Sequence, residues 1–483
     1  DKSEKFAGAY VKEPKPGVYD WVVSFDLNSL YPHLIMQYNI SPETLQEEKH
    51  PSVTIQKILD EKLDFQMYKD YAVCANGAMY RKDVKGFLPE LMEKMYAERK
   101  AFKKEMLKSK QKLVDIESKL KTNKDPVLRR QREQTIKDIA KFNNFQMVRK
   151  ICLNSLYGAI GNNYFRHYRL ENAEAITCTG QVAIRWIERK INEYVNTTLK
   201  TDGVDYVIAS DTDSIYLNLG PLVDRINTGG MDTPRVVHVL NQFCEDKIVP
   251  FIDKSYDELS DYLNSYERTL VMKRECIAEK GIWTAKKRYI LNVWDNEGVR
   301  YKEAKLKIMG IEAVRSSTPS LFRDYITKAL KLIMSGTEKE LIDYIAECRE
   351  EHKITDLRLI SFPRSANNIS KFKNSVTLYE KGTPMHIRAS ILFNHLLKTK
   401  KLEKKYNPIN NGEKIKYMNL KMPNPAGQNV IAYISEFPPE FGLTDYIDYD
   451  TMFEKGFLEP LRVILKNIGW NTEHVSTLED FFL

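Results

Sequence analysis

Three aspartates stand where strand-forming sequence gives way to a turn. Asp26 follows the apolar run WVVSF, while Asp211 and Asp213 flank Thr212 in a tight turn between the β-rich runs DYVIAS and IYLNL. A carboxylate at a strand end is common, and a D-x-D turn alone reads more readily as a solvated turn. Two buried strands that each end in Asp can, however, gather carboxylates at the edge of one sheet. Like charges so placed repel unless a cation binds between them. Oxygen ligands with no His or Cys beside them select Mg²⁺ rather than zinc. Two such ions about 3.5–4 Å apart would clamp the attacking and leaving oxygens of an in-line phosphoryl transfer.

Cations and amides recur at helical spacing. In KICLNSLYG at 150–158, Lys150, Asn154 and Tyr157 lie at i, i+4 and i+7 and share a helix face. A cation, an amide and a phenol make a poor core stripe and a good surface for a triphosphate and a base pair. Arg99 and Lys103 are also i, i+4 neighbours that could reach the same phosphates. By themselves they read as a solvated face.

The elements that must position these groups follow from punctuation and period. AGAYVKEPKPGVYDWVVSFDLNSLYP reads as extended, broken by Pro14, Pro16 and Gly17 before the buried strand. From Pro89 to about Lys121 a charged segment runs without Gly or Pro. After the loop TNKDP a second runs from Pro126 to about Leu156, which predicts a hairpin of two long antiparallel helices. Strands and helices mix to about residue 310, and the rest is largely helical. Length alone suggests about three domains.

Composition excludes more than it selects. Lys plus Arg total 74 against 66 Asp plus Glu, a formal charge of +8 that permits a polyanionic partner without demanding one. The six cysteines (Cys74, Cys152, Cys178, Cys244, Cys276 and Cys348) contain no C-x-x-C pair and read as reduced thiols. No apolar run approaches the roughly 18 residues of a membrane span. The opening DKSEKF is no signal peptide and lacks an initiator Met, so the chain reads as a fragment, a processed product or a trimmed chain. No G-x-x-x-x-G-K-[ST] loop supports a helicase or other NTPase.

DLNSLYP at 26–32, KICLNSLYG at 150–158 and SDTDS at 210–214 resemble, in order and spacing, the three polymerase motifs of family B DNA polymerases, and KKRY at 286–289 looks like that family's primer-contacting motif. GAYVKEP at 8–14, GQVAIRWIERKINEY at 180–194, LKIMGIE at 306–312, SSTP at 316–319 and MHIR at 385–388 look most like the replicative polymerases of T-even-type bacteriophages. The resemblance spans essentially the whole chain. It implies an α+β right-hand fold: an antiparallel palm sheet from 1–84 and 162–311, helical-hairpin fingers at 85–161, and a mostly helical thumb at 312–483. The implied reaction is template-directed addition of dNTPs to a primer 3′-OH with two Mg²⁺ ions.

The resemblance also implies roles. Asp26 and Asp213 would ligate both metals, helped by the Leu27 carbonyl, with Asp211 a supporting acid. Asn28, Ser29, Leu30 and Tyr31 would cradle the triphosphate through backbone amides, and Tyr31 would exclude a 2′-OH. Arg99, Lys103, Lys150 and Asn154 would bind the triphosphate. Tyr157 and Gly158 would line the nascent base pair, and Lys286, Lys287, Arg288 and Tyr289 would hold the primer–template. Glu275 matches a carboxylate near the metals.

Several positions depart from the family pattern. His33 stands where the family usually has Ser, and Lys273 where close relatives carry Asp. Relatives carry an N-terminal domain and a 3′→5′ exonuclease before the first palm strand. Only a short stretch precedes Asp26 here, and the later chain holds no acidic exonuclease motif. The chain therefore reads as the polymerase part alone, with a separate exonuclease-bearing chain as a partner if the enzyme is naturally split. The absent cysteine-rich modules of cellular enzymes favour a virus-encoded protein acting in the cytoplasm of an infected bacterium. The tail TLEDFFL ends with Leu478, Phe481 and Phe482 in an L-x-x-F-F arrangement, which reads either as a packed last turn or as a peptide for a partner's groove. The resemblance to T-even-type polymerases, which bind a sliding clamp through their extreme C-terminus, favours the second. A catalytically inert scaffolding subunit is the rival reading, and the intact Asp26, Asp211, Asp213, Lys150 and Tyr31 argue against it.

Overall fold

The structure, a computed structural model, describes residues 7–227 and 229–474. It divides into two compact units. The first runs to Lys287 and includes Leu291–Lys307; the second comprises Arg288–Ile290 and the chain from Ile308 onward. Length suggested three cores. The long hairpin builds none of its own, because only Leu88, Pro89, Met92, Met106 and Ile116 are buried along its first arm.

In chain order the first unit carries β1 (Gly17–Leu27), α1 (Leu30–Gln37), α2 (Ile55–Leu59), β2 (Tyr71–Val73) and β3 (Met79–Arg81). The hairpin helices α3 (Phe87–Leu120) and α4 (Pro126–Ile160) come next, then α5 (Leu170–Leu199), β4 (Val207–Asp211) and β5 (Ser214–Asn218). After α6 (Gly220–Ile226), α7 (Thr233–Phe243) and α8 (Val249–Tyr262) come β6 (Met272–Ala285) and the greater part of β7 (Arg288–Asn296) and β8 (Val299–Met309). This is the α+β class expected, with antiparallel pairing and a long helical hairpin.

The main sheet has the order β4-β5-β1-β6-β7-β8. Its inner strand β1 pairs antiparallel with β5 and β6, which is why Val22, Val23, Ser24 and Phe25 are all fully buried rather than alternating. Register shifts at Ser24/Phe25, where Ser24 faces Cys276 and Phe25 faces Arg274, so Glu275 is the extra residue of a bulge. At Gly281 a Cβ would lie 2.7 Å from Trp283 and 2.8 Å from Leu291, so only glycine fits.

Helix α5 supports the sheet and is tied to α8 by Trp186 Nε1 donating to the Ser255 carbonyl at 2.9 Å and Tyr256 OH to that of Ala183 at 3.1 Å. Helix α3 starts where Glu43 Oε1 accepts from the Phe87 amide at 2.6 Å. Helix α4 starts with Asp125 capping the Val127 amide at 2.8 Å and Pro126 in its first turn. The arms are joined by Phe102 against Phe145, with ring centroids 5.1 Å apart, and by an Arg149–Glu98 ion pair at 3.1 Å. Helix α4 runs on to Ile160, beyond the expected end near Leu156, and so includes Gly158.

The second unit is mostly helical, with a three-stranded sheet formed by Phe362–Ala366, Glu413–Asn419 and Val430–Tyr433. Its core stacks His352 on Phe453 at 4.6 Å, beside Phe322 and Phe457. All six cysteines are free, and only Cys152 is exposed. No helix among the described residues is long and apolar enough to cross a membrane.

Candidate active site

Strand pairing brings the acids together. Asp26 lies opposite Ser214 in the β1–β5 ladder, one residue from Asp213, and the Leu27 amide donates to the Asp213 carbonyl at 2.8 Å. The β4–β5 turn is tight: Thr212 has φ +60° and the Asp213 amide donates to the Asp211 carbonyl at 2.6 Å. That turn sends the two side chains to different partners. Asp211 accepts from Thr212 Oγ1 at 3.0 Å and pairs with Lys287 at 3.3 Å, whereas Asp213 takes part in no ion pair among the described residues.

Asp26 and Asp213 pay electrostatically for this placement. Burial, then the charges of Asp213 and Glu275, pushes the Asp26 carboxyl well above the usual carboxylate range. Burial and Asp211 push Asp213 in the same direction, against the pull of Lys150. Half-buried carboxylates left this close, without a paired cation among the described residues, fit a divalent ion. Among the described residues no three His, Cys, Asp or Glu side chains form a metal-holding cluster, so carbonyl or ligand oxygens would have to complete the shell. The Leu27 carbonyl is one such oxygen in sequence reach.

A cavity of about 290 Å³ opens beside the pair. It is lined by Asp26, Asp213 and Thr212, by Leu27, Ser29, Leu30 and Tyr31, and by Arg99, Lys150, Asn154 and Tyr157 from the hairpin helices. Ten of the site residues expected from sequence thus meet at one place, and none of the lining is His or Cys. Ser29 has φ +51°, a left-handed turn that starts α1 and lets its hydroxyl accept from Arg99 Nη1. Tyr31 lies 4.6 Å from Tyr157, ring centroid to centroid, and burial pushes its hydroxyl up to about 12. Behind it, α5 comes so close that a Cβ on Gly180 would sit 3.4 Å from the Tyr31 ring. His33 is buried edge-on against Tyr96 at 4.2 Å, with Nδ1 2.9 Å from the Ser29 carbonyl oxygen; burial pulls it down to about 4 and keeps it neutral.

Other expected residues lie outside this cavity. Asn28 and Lys103 line a neighbouring cleft, where Lys103 pairs with Glu297 at 2.5 Å. Gly158 faces open space, for a Cβ there would meet nothing within 4 Å. In KKRY, Lys287 pairs with Asp211 at 3.3 Å and Lys286 with Glu13 at 3.1 Å, Arg288 pairs with Glu312 at 3.0 Å, and Tyr289 is buried. Glu275 accepts from Ser24 Oγ at 2.9 Å and pairs with Lys307 at 2.7 Å. Leu478, Phe481 and Phe482 lie outside the described residues.

Sequence reasoning missed Glu297 and Gln146. The first is a turn residue in DNEG, and the second accepts from Arg99 Nε at 3.5 Å from within α4. Nothing local in the sequence distinguishes either from a solvated polar residue.

Residues 1–228 match the model of DNA polymerase family B. The DNA-directed DNA polymerases of Enterobacteria phage T4 and Escherichia phage RB69 are each 34% identical, over 99% of this chain and 57% of the relative. DNA polymerase 1 of Pyrococcus abyssi (strain GE5 / Orsay) is 26% identical over 98% of this chain and 48% of its own length. The chain therefore spans only about half the length of the curated relatives it matches. The paired acids and flanking cations thus lie in a chain whose residues 1–228 match DNA polymerase family B and which is similar to phage DNA polymerases over 99% of its length.

Proposed function

We propose that this chain catalyses template-directed DNA synthesis, adding dNTPs to a primer 3′-OH. The observation that carries the reading is the cavity in which Asp26 and Asp213 face Arg99, Lys150 and Asn154. The 3′-oxygen bonds to the α-phosphorus, the bond from that phosphorus to the bridging oxygen breaks, and pyrophosphate leaves with the electron pair. The hydroxyl proton passes to solvent. Asp26 and Asp213, with the Leu27 carbonyl, would hold two Mg²⁺ ions, which when bound supply charge to the entering and leaving oxygens.

The chain's own groups do the rest. Arg99 and Lys150 neutralise the triphosphate through charge-assisted hydrogen bonds, Asn154 adds an amide contact, and the amides from Asn28 to Tyr31 offer further donors. Lys103 joins them once it exchanges Glu297 for phosphate. Tyr31 packs between Tyr157 and Gly180 at the edge of the cavity, where a ribose 2′-OH would meet its ring. Asp211, paired with Lys287, acts on the field of the site rather than as a ligand. In this reading residues 1–84 and 162–311 are the palm, 85–161 the fingers and 312–483 the thumb of a right-hand polymerase. The clamp-binding role of Leu478, Phe481 and Phe482 rests on resemblance alone.

Primer extension by the purified chain with Mg²⁺, dNTPs and a matched primer–template tests the reaction; a folded chain that incorporates nothing overturns it. Tyr31→Ala is expected to incorporate ribonucleotides at higher efficiency in single-turnover assays, and unchanged discrimination would remove the gate from Tyr31.

A further inference from the structure

A second cleft, of about 460 Å³, shares Asp26 and Arg99 with the nucleotide cavity and lies within the roughly 300–1,000 Å³ range of ligand sites. Its walls are unevenly charged. Among its acids, Glu297 is paired with Lys103 at 2.5 Å and Glu275 with Lys307 at 2.7 Å, which leaves Asp26 and Glu245. Of its cations, Lys100, Lys104 and Lys273 are exposed and have no ion-pair partner among the described residues. Lys100 and Lys104 lie one turn apart on α3, in the row beside Arg99 and Lys103, so the helix carries a double row of positive charge. Lys273 is the direct cross-strand partner of Asp26 in the β1–β6 ladder.

A further observation points to an anion. Arg274 also lines the cleft, and its side chain is only 4% exposed. Its Nη1 is bound to Asp295 at 2.6 Å, yet its buried Nε has no hydrogen-bond partner among the described residues. A buried charged donor without an acceptor is costly, and a phosphate oxygen would satisfy it.

We propose that this cleft is a second polyphosphate subsite, which receives the pyrophosphate released at the nucleotide cavity. The inference rests on the polymerase reading. Arg99, common to both cavities, passes the departing anion from the phosphates' reaction position to Lys100, Lys104 and Lys273. The Lys103–Glu297 pair stands in the same cleft, so an incoming anion competes with Glu297 for Lys103.

The test is product inhibition by inorganic pyrophosphate in single-nucleotide primer extension, comparing the chain with a Lys100→Gln/Lys104→Gln/Lys273→Gln variant. All three side chains are exposed, so the variant keeps its fold. Exposed charge contacts of this kind predict that the pyrophosphate inhibition constant rises about fivefold to tenfold while the KM for dNTP stays within about twofold. An unchanged inhibition constant overturns the subsite. A parallel rise in KM also overturns it, by assigning the cleft to the incoming nucleotide. If the wild-type chain extends no primer, the polymerase reading fails separately, and calorimetric titration with pyrophosphate decides the cleft. Binding that the variant loses supports the subsite, and no binding to wild type removes it.

Discussion

Two acids in one sheet are treated in opposite ways. Asp295 on β7 is 1% exposed and fully provided for: Arg274 at 2.6 Å, Arg300 at 2.9 Å and the Gly298 amide at 3.1 Å all donate to it. Asp26 on β1 is less buried and has no paired cation among the described residues, and its electrostatic neighbours include Asp213 and Glu275. The first acid is completed by the protein and serves the fold. The second is left incomplete, and the strands that hold it give up stability to keep it so. An acid without a protein partner is the one poised for something that arrives from solution.

The comparison breaks most visibly in activity. Asp26→Ala or Asp213→Ala is expected to lower primer extension by on the order of 10³-fold or more, because the charge they would organise stabilises the reaction by several kcal/mol. Primer–template affinity should stay within a few-fold. Loss of DNA binding in step with activity, measured by fluorescence anisotropy, would show that these acids dock DNA rather than serve chemistry.

Asp295→Ala should do the reverse, costing stability. It strands Arg274 with no acceptor in a buried site, and breaking such a pair costs about 3–5 kcal/mol. Urea denaturation should show that loss, whereas Asp26→Ala should show none. Equal destabilisation by the two substitutions would erase the distinction between them.

How much of this was legible depends on whether a residue's role is local. Asp26, Asp213, Lys150, Asn154 and Tyr157 announce themselves because strand ends, a tight turn and a helical period fix where they lie. The helical hairpin was equally readable, from its unbroken charged runs and Pro126. The bulge at Glu275, the diversion of Asp211 to Lys287 and the hold of Glu297 on Lys103 depend on which strands meet in what register. Those facts exist only after residues far apart in sequence pair. Arg274 and Asp295 likewise look like surface charges until both are buried.

Lys150 probes the side of the cavity that meets the phosphates. Among the described residues it has no ion-pair partner, and its charge is felt by Asp213. Lys150→Ala should raise the dNTP KM and lower the rate, a combined loss of about 1.5–3 kcal/mol for one charge-assisted contact. An effect confined to DNA affinity would move Lys150 from the triphosphate to the duplex.

The smallest effect sharpens the comparison furthest. If Asp26 is held against its own electrostatics, Asp26→Asn should stabilise the metal-free protein rather than harm it. An unfolded aspartate releases its proton near pH 4, whereas the folded Asp26 and Asp213 release theirs at higher pH, because burial raises both, helped by Asp213 and Glu275 at Asp26 and by Asp211 at Asp213. Between those points the native state holds more protons than the unfolded one, so wild-type stability falls as pH rises through this window. With EDTA present, Asp26→Asn should therefore exceed wild type by about 1 kcal/mol or more near pH 8, with the gap closing toward pH 4. Added Mg²⁺ should reverse the order, because only wild type keeps both carboxylates and ligand binding to the native state adds stability. Melting curves across pH, with and without the ion, read all of this directly. A variant less stable than wild type in EDTA at pH 8 would mean that Asp26, like Asp295, has its partner within the protein.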